Sequence, residues 1–188
     1  MASLAAAACA ATWAQERSQL PIQVAASSSD FDYQKGVLKF DHVAITQGEI
    51  RITAESATAS GLDFEESRWE FTGSVRITTP ESSLASETAR VRFAGGEIQN
   101  ATVTGEPATF EQRREQQHSQ GHANRIDYDV RRGTVEFAGS AWLSDGRNEV
   151  SSETLVYSTK TQRVISRQPV VITIQPNEQT GEGPKPPS

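Results

Sequence analysis

Trp69-Glu70-Phe71-Thr72-Gly73-Ser74-Val75, residues 69–75, returns without a gap 66 positions later as Val135-Glu136-Phe137-Ala138-Gly139-Ser140-Ala141. Ser86-Glu87-Thr88 returns at the same offset as Ser152-Glu153-Thr154. Leu38-Lys39-Phe40 precedes the first copy by 31 positions, and Ala101-Thr102-Val103-Thr104-Gly105 falls between the two strong copies, so the underlying unit is about 33 residues. Four units begin near residues 37, 68, 100 and 134.

Within the second unit Trp69, Phe71, Gly73, Val75 and Ile77 share one parity, while Glu70, Thr72, Ser74, Arg76 and Thr78 take the other. Period-two alternation of this kind marks a strand with one face buried. Val135, Phe137, Ala141 and Leu143 repeat it, and the return segments Ala89, Val91, Phe93 and Ile126, Tyr128, Val130 alternate likewise. Turn residues separate the segments: Thr79-Pro80-Glu81-Ser82, Gly95-Gly96, Arg132-Gly133 and Asp145-Gly146. Eight strands are expected, with end strands at 20–24 and 170–174. The polar stretch 111–120 reads as an exposed hairpin loop, and no segment carries a 3.6-residue stripe.

Equal hairpins that are apolar on one face cannot bury it alone and must close on their neighbours. The expectation is an all-β fold: an antiparallel, two-walled, open β-jelly roll of about four hairpin units with an open edge at each end. Its interior would be an apolar trough. The end strands, with Ile22 and Val24 at one end and Val170, Ile172 and Ile174 at the other, start beside Pro21 and Pro169 and carry few charges. Such lightly guarded edges suit pairing with another chain.

Composition agrees. The chain has 188 residues, 36% hydrophobic and 7% aromatic, which suits a thin sheet-rich body spanning residues 20–175 as one domain. Its 24 acidic against 18 basic residues, a net charge of -6, exclude the basic footprint of a nucleic-acid binder. Residues 4–14, LAAAACAATWA, resemble the second half of a secretory signal peptide, so 1–14 reads as a leader and 15–19 as a polar linker. Cys9, the only cysteine, falls inside that leader, so a processed chain would form no disulfide. The Pro- and Gly-rich tail 176–188 has no apolar residue able to dock and reads as disordered.

Pro21-Ile22, Phe71-Thr72-Gly73-Ser74-Val75, Gly105-Glu106-Pro107-Ala108-Thr109-Phe110, Gly121-His122-Ala123 running into Ile126-Asp127-Tyr128, and Phe137-Ala138-Gly139-Ser140-Ala141 occur in an order and spacing that resembles the OstA-like family of the lipopolysaccharide export system. The resemblance spans roughly residues 20–175. It departs at 37–62, an additional unit whose Val43-Ala44-Ile45-Thr46-Gln47-Gly48 itself looks like the family's first hairpin. The resemblance implies a twisted β-jelly roll in the periplasm that carries lipopolysaccharide. It further implies an LptC-like inner-membrane-anchored partner at the N-terminal edge, an LptD-like outer-membrane partner at the C-terminal edge, and head-to-tail self-association.

An acyl chain of a dozen carbons costs on the order of 10 kcal/mol to expose to water, at about 0.8 kcal/mol per methylene. Phe71, Val75, Ile77, Val91, Phe93, Phe110, Ile126, Tyr128, Val130, Phe137 and Leu143 are the residues expected to wall the trough that shields such chains, each of them equally able to fill a dry core. The resemblance tips Phe110, Tyr128 and Val130 toward lipid contact. Arg113-Arg114 and Arg131-Arg132 read as solvated turn residues before they read as phosphate ligands. Catalysis, a metal site and a cofactor are not expected. Glu70, Asp127, Asp129 and Glu136 take the polar parity, and His42, His118 and His122 lack ligand spacing. No nucleophile elbow or phosphate loop is present. A structural or adhesin-like sandwich without cargo is the alternative, and a glycan-active envelope enzyme a more distant one.

Overall fold

The computed structural model describes residues 20–175 except residues 33, 62–63 and 115–116. The leader, the linker and the tail expected from the sequence lie outside the described residues. Twelve antiparallel strands form one sheet. Four long hairpins make its body: β3 (Val37–Gln47) with β4 (Ile50–Ala59), β5 (Glu66–Thr78) with β6 (Ser82–Ala94), β7 (Glu97–Arg114) with β8 (Gln117–Asp129), and β9 (Thr134–Ser144) with β10 (Asn148–Ser158). These are the four repeated units. Short strands β1 (Gln23–Ala25) and β2 (Ser28–Asp32) both pair with β3, and β11 (Arg163–Ile165) and β12 (Val171–Ile174) both pair with β10.

The sheet is folded in half along a line that crosses every long strand. Six register shifts fall at one level of the stack, between Thr53/Ser56, Thr72/Val75, Ala85/Thr88, Thr104/Ala108, His122/Arg125 and Ser152/Thr154, and a seventh, at Arg92/Phe93, lies beside the turn between β6 and β7. A bulge bends its strand and sharpens the twist, and a row of bulges creases a sheet. Ala101, which is linked through the ladders to Tyr157 by way of Tyr128 and Val135, lies nine residues from Phe110 on β7, about 30 Å in extended chain. Yet the Phe110 and Tyr157 rings are 6.1 Å apart, which only a fold through the crease allows.

Two walls result. Pairing with β2 and β11 marks the first wall, and pairing with β1 and β12 marks the second, since those short strands take opposite halves of β3 and β10. The crease closes one long side. The other long side, the mouth, lies between the two rows of hairpin turns. Each end of the stack presents one edge per wall.

The repeated sequence is the corner itself. In β5 and β9 two consecutive residues take left-handed backbone, Gly73 (φ 80°) with Ser74 (φ 47°) and Gly139 (φ 78°) with Ser140 (φ 52°). Two such residues turn the strand while preserving side-chain parity, so Trp69, Phe71, Val75 and Ile77 are all buried across the bend. Glycine is needed at the first position because a side chain there meets β-carbon and carboxylate atoms of Glu55, whose Oε1 accepts a 2.7 Å hydrogen bond from Ser74 Oγ.

Elsewhere the inward parity inverts at the corner. In β6 it passes from Leu84 to Ala89, Val91 and Phe93, and in β7 from Ala101 and Val103 to Ala108 and Phe110. The core follows the stack throughout, with the stacked rings of Phe40, Phe64, Trp69 and Phe71 at one end and Phe110, Phe137 and Tyr157 at the other.

Three expectations are corrected. Stretch 111–120 is mostly strand, paired as Glu111↔Gln120, Gln112↔Ser119, Arg113↔His118 and Arg114↔Gln117. Backbone pairing, which side-chain polarity does not report, carries that hairpin outward. The ends hold four short strands rather than two: β2 and β11 were missed because they are polar or only three residues long. Ile22 and Val170 fall just outside the strands expected to contain them, which run Gln23–Ala25 and Val171–Ile174.

Candidate functional site

The candidate site is the interior between the walls together with its mouth. Phe71, Val75, Ile77, Val91, Phe93, Phe110, Ile126, Phe137 and Leu143 point inward and are buried, in one core with Phe40, Trp69, Val103, Leu155 and Tyr157. Tyr128 is half-buried at the mouth, and Val130, 39% exposed, sits in the turn between β8 and β9 rather than in a wall. The pattern that placed Val130 inside continues the parity of Ile126 and Tyr128 one residue beyond the strand's end.

The mouth holds the apolar space. A cavity of about 270 Å³ lies there, lined mainly by Leu20, Ile50, Ile77, Leu84, Ile98, Tyr128 and Val130. Further along, a more polar opening of about 480 Å³ is bordered by His118, Ser119, Leu143, Val150, Tyr157 and Val164. Leu84 and Tyr157 escaped the sequence reading because parity restarts after the corner, and Leu20 and Ile98 because they lie at segment ends. Burial pushes the Tyr128 phenol above its ordinary range, against hydrogen bonds with Ser82 and Thr159 that act the other way.

No buried side-chain polar atom lacks a partner among the described residues, and the buried polar residues there, Ser67, Gln112, Ser144 and Thr159, are all uncharged. Several outward charges are paired: Arg90 with Glu70 at 3.0 Å, Arg92 with Glu66 at 3.0 Å, and Arg125 with Asp127 at 2.7 Å. Arg114 meets Glu81 at 3.0 Å, and Arg132 meets Asp129 at 3.6 Å. Among the described residues no group of three or more His, Cys, Asp or Glu is placed to hold a metal ion.

Partial burial raises the Asp127 pKa, but hydrogen bonds from Arg125 and Thr102 outweigh it and leave the net value below the ordinary 3.8. A lowered folded value means that the carboxylate stabilises the fold above the unfolded value and that this contribution is lost as the pH falls through the folded one. Asp127→Asn should therefore flatten the acid limb of stability below about pH 4. At pH 7 it should cost no more than about 1 kcal/mol, as for exposed pairs. Denaturant titrations at pH 7 and pH 3 check this; an unchanged difference between the two pH values would contradict it.

A folded antiparallel sheet with an apolar interior, a lateral mouth and unpaired edges at both ends defines an open β-jelly roll. The chain belongs to the LptA/(LptD N-terminal domain) LPS transport protein family, whose model matches residues 57–163. The lipopolysaccharide export system protein LptA of Escherichia coli strain K12 is 26% identical over 106 residues, 55% of this chain and 57% of that protein. The protein of the same name from Shigella flexneri matches to the same extent. The chain thus spans 57% of the length of these curated relatives. The crystal structure of LptH, the LptA-homologous periplasmic component of the lipopolysaccharide transport device of Pseudomonas aeruginosa, aligns with 85% of this chain and 99% of its own, at 21% identity and a TM-score of 0.44. Among the described residues no helix is long and apolar enough to cross a membrane.

Proposed function

We propose that this protein is a segment of a periplasmic bridge that carries lipopolysaccharide, holding the acyl chains between its walls while the sugars stay in water. The observation that carries the reading is a continuous apolar interior with a lateral mouth, in a chain of this transport family. Non-directional burial along the stack shields an acyl chain at every position without a deep well that would trap it.

The edges support joining to like domains. The first wall's edges carry charge, Asp30 and Asp32 on β2 and Arg163 on β11, whereas β1 (QVA) and β12 (VITI) on the second wall carry none. Charge on an edge strand discourages pairing and its absence permits it. Ile172 and Ile174 on β12 are 58% and 72% exposed, and at the other end Val24 of β1 and the neighbouring Ile22 pack against the core. In this reading the N-terminal edge takes an LptC-like protein, the C-terminal edge an LptD-like protein, and copies associate head to tail.

A photo-crosslinking residue at Tyr128 should form adducts with lipopolysaccharide in cells, and one at the outward neighbour Asp127 should form few. Adducts from position 127 alone would reject an interior path. A purified protein that retains no lipopolysaccharide would favour a cargo-free structural module.

A further inference from the structure

On the crease side the walls are joined by the covalent strands. Across the mouth, among the described residues, no backbone hydrogen bond joins them. Side chains do so instead, the Tyr128 phenol of the first wall meeting Ser82 of the second among them. Gln47 Nε2, at the end of β3 in the second wall, donates to the Gly96 carbonyl in a first-wall turn at 3.1 Å and to the Leu20 carbonyl at 3.3 Å. At the other end the Tyr157 hydroxyl of the first wall donates to Gln112 Oε1 of the second at 2.8 Å, with both residues buried.

The interior between the walls is otherwise tightly packed. Its core side chains are almost fully buried, and the two spaces at the mouth, an apolar one of about 270 Å³ and a more polar one of about 480 Å³, are no larger than the roughly 300–1,000 Å³ of ordinary small-ligand pockets, short of a lipid with several chains.

We propose that the mouth is a lateral gate: the walls part along it to admit acyl chains, with Gln47–Gly96 and Tyr157–Gln112 as the latches that hold it shut when empty. The proposal rests on the lipid-carrying reading above. Parting exchanges wall-to-wall apolar contact for wall-to-acyl contact, which is non-directional on both sides and nearly balanced. The latches are directional and have no substitute in an acyl chain, so they set when the mouth opens.

Glu49 and Glu97 are exposed and stand on opposite lips beside the Gln47–Gly96 latch. In a Cys9→Ser background, Glu49→Cys with Glu97→Cys can be spin-labelled, or stapled by a short crosslinker that a reductant cleaves. The expected label distance is single and short in the empty protein and longer once purified lipopolysaccharide is added. A latch-free protein, Gln47→Ala with Tyr157→Phe and Gln112→Met, replaces both members of the buried pair by apolar groups so that none is left unsatisfied. It should show the longer distance without ligand. Stapling should slow lipopolysaccharide loading at least tenfold, and reduction should restore it.

Stapled protein that loads at the unstapled rate overturns the gate and leaves the cargo reading standing. If even the unstapled protein retains no lipopolysaccharide, the cargo reading fails on its own, and the latch-free distances decide the gate: a longer population upholds opening, and an unchanged one overturns it. A latch-free protein that does not unfold cooperatively is replaced by Gln47→Ala alone, read by the same distances.

Discussion

Trp69→Ala should lower the stability of the fold by about 3–5 kcal/mol, the range for truncating a buried aromatic to alanine. Trp69 is wholly buried, stacked on Phe40 at 5.4 Å, Phe64 at 5.5 Å and Phe71 at 5.9 Å, with Phe93 edge-on at 6.4 Å. Its Nε1 also donates to the buried Ser67 hydroxyl. Domains of this size have total stabilities of about 5–15 kcal/mol, so the loss approaches the whole for a modestly stable one. Urea denaturation should show a lower midpoint with an unchanged slope. Trp142 gives the contrast: it stacks on His122 at 5.0 Å and is only partly buried, and its truncation should cost far less. Equal losses at the two positions would show that the first-wall aromatic stack is not the packing centre of that end.

Gly73→Val should be comparably severe for a different reason. The residue sits at φ 80°, where a β-branched side chain carries about 1–3 kcal/mol of backbone strain. Its new β-carbon would lie 2.8 Å from Glu55 Cβ, which adds about 1–3 kcal/mol of overpacking. Gly146 separates the two contributions, because at φ 88° it has open space around it and Gly146→Ala should cost only the backbone part. If Gly73→Ala and Gly146→Ala cost the same, the corner tolerates a side chain and the crease does not depend on close approach there. If Gly73→Val costs several times more, the walls face each other because the corner is built from a residue without a side chain.

Those corners also decide what was legible beforehand. β5 and β9 announced themselves because their Gly-Ser corners keep one parity from end to end, so a repeat search and an alternation count agreed. In β3, β4, β6, β7, β8 and β10 the inward parity inverts halfway, and the alternation is legible only over one half of β6 and of β8. That is why Val91, Phe93 and Ile126 were placed inward while Leu84, Ala108 and Leu155 were not singled out. The bulges that cause the inversion leave no composition of their own; Ser86-Glu87-Thr88 and Ser152-Glu153-Thr154 were visible as repeats but not as bends.

The candidate site divides in the same way. Nine of the eleven side chains assigned to the trough are buried inside, because burial follows parity. The mouth was not foreseen. Gln47 reaches Gly96, and Tyr157 reaches Gln112, through contacts between distant strands that no local pattern encodes, and Gln112 lies in the stretch read as a loop.

Because every long strand carries its own bend, no strand depends on a neighbour's sequence to turn. Hairpins can therefore be spliced in or dropped whole, and the groove would change in extent without changing in cross-section. With adjacent strands about 4.8 Å apart, each hairpin contributes about 10 Å. The span one subunit covers is therefore set in fixed increments, like the rungs of a ladder, and evolution can tailor it to the gap by counting pairs rather than by redesigning either end.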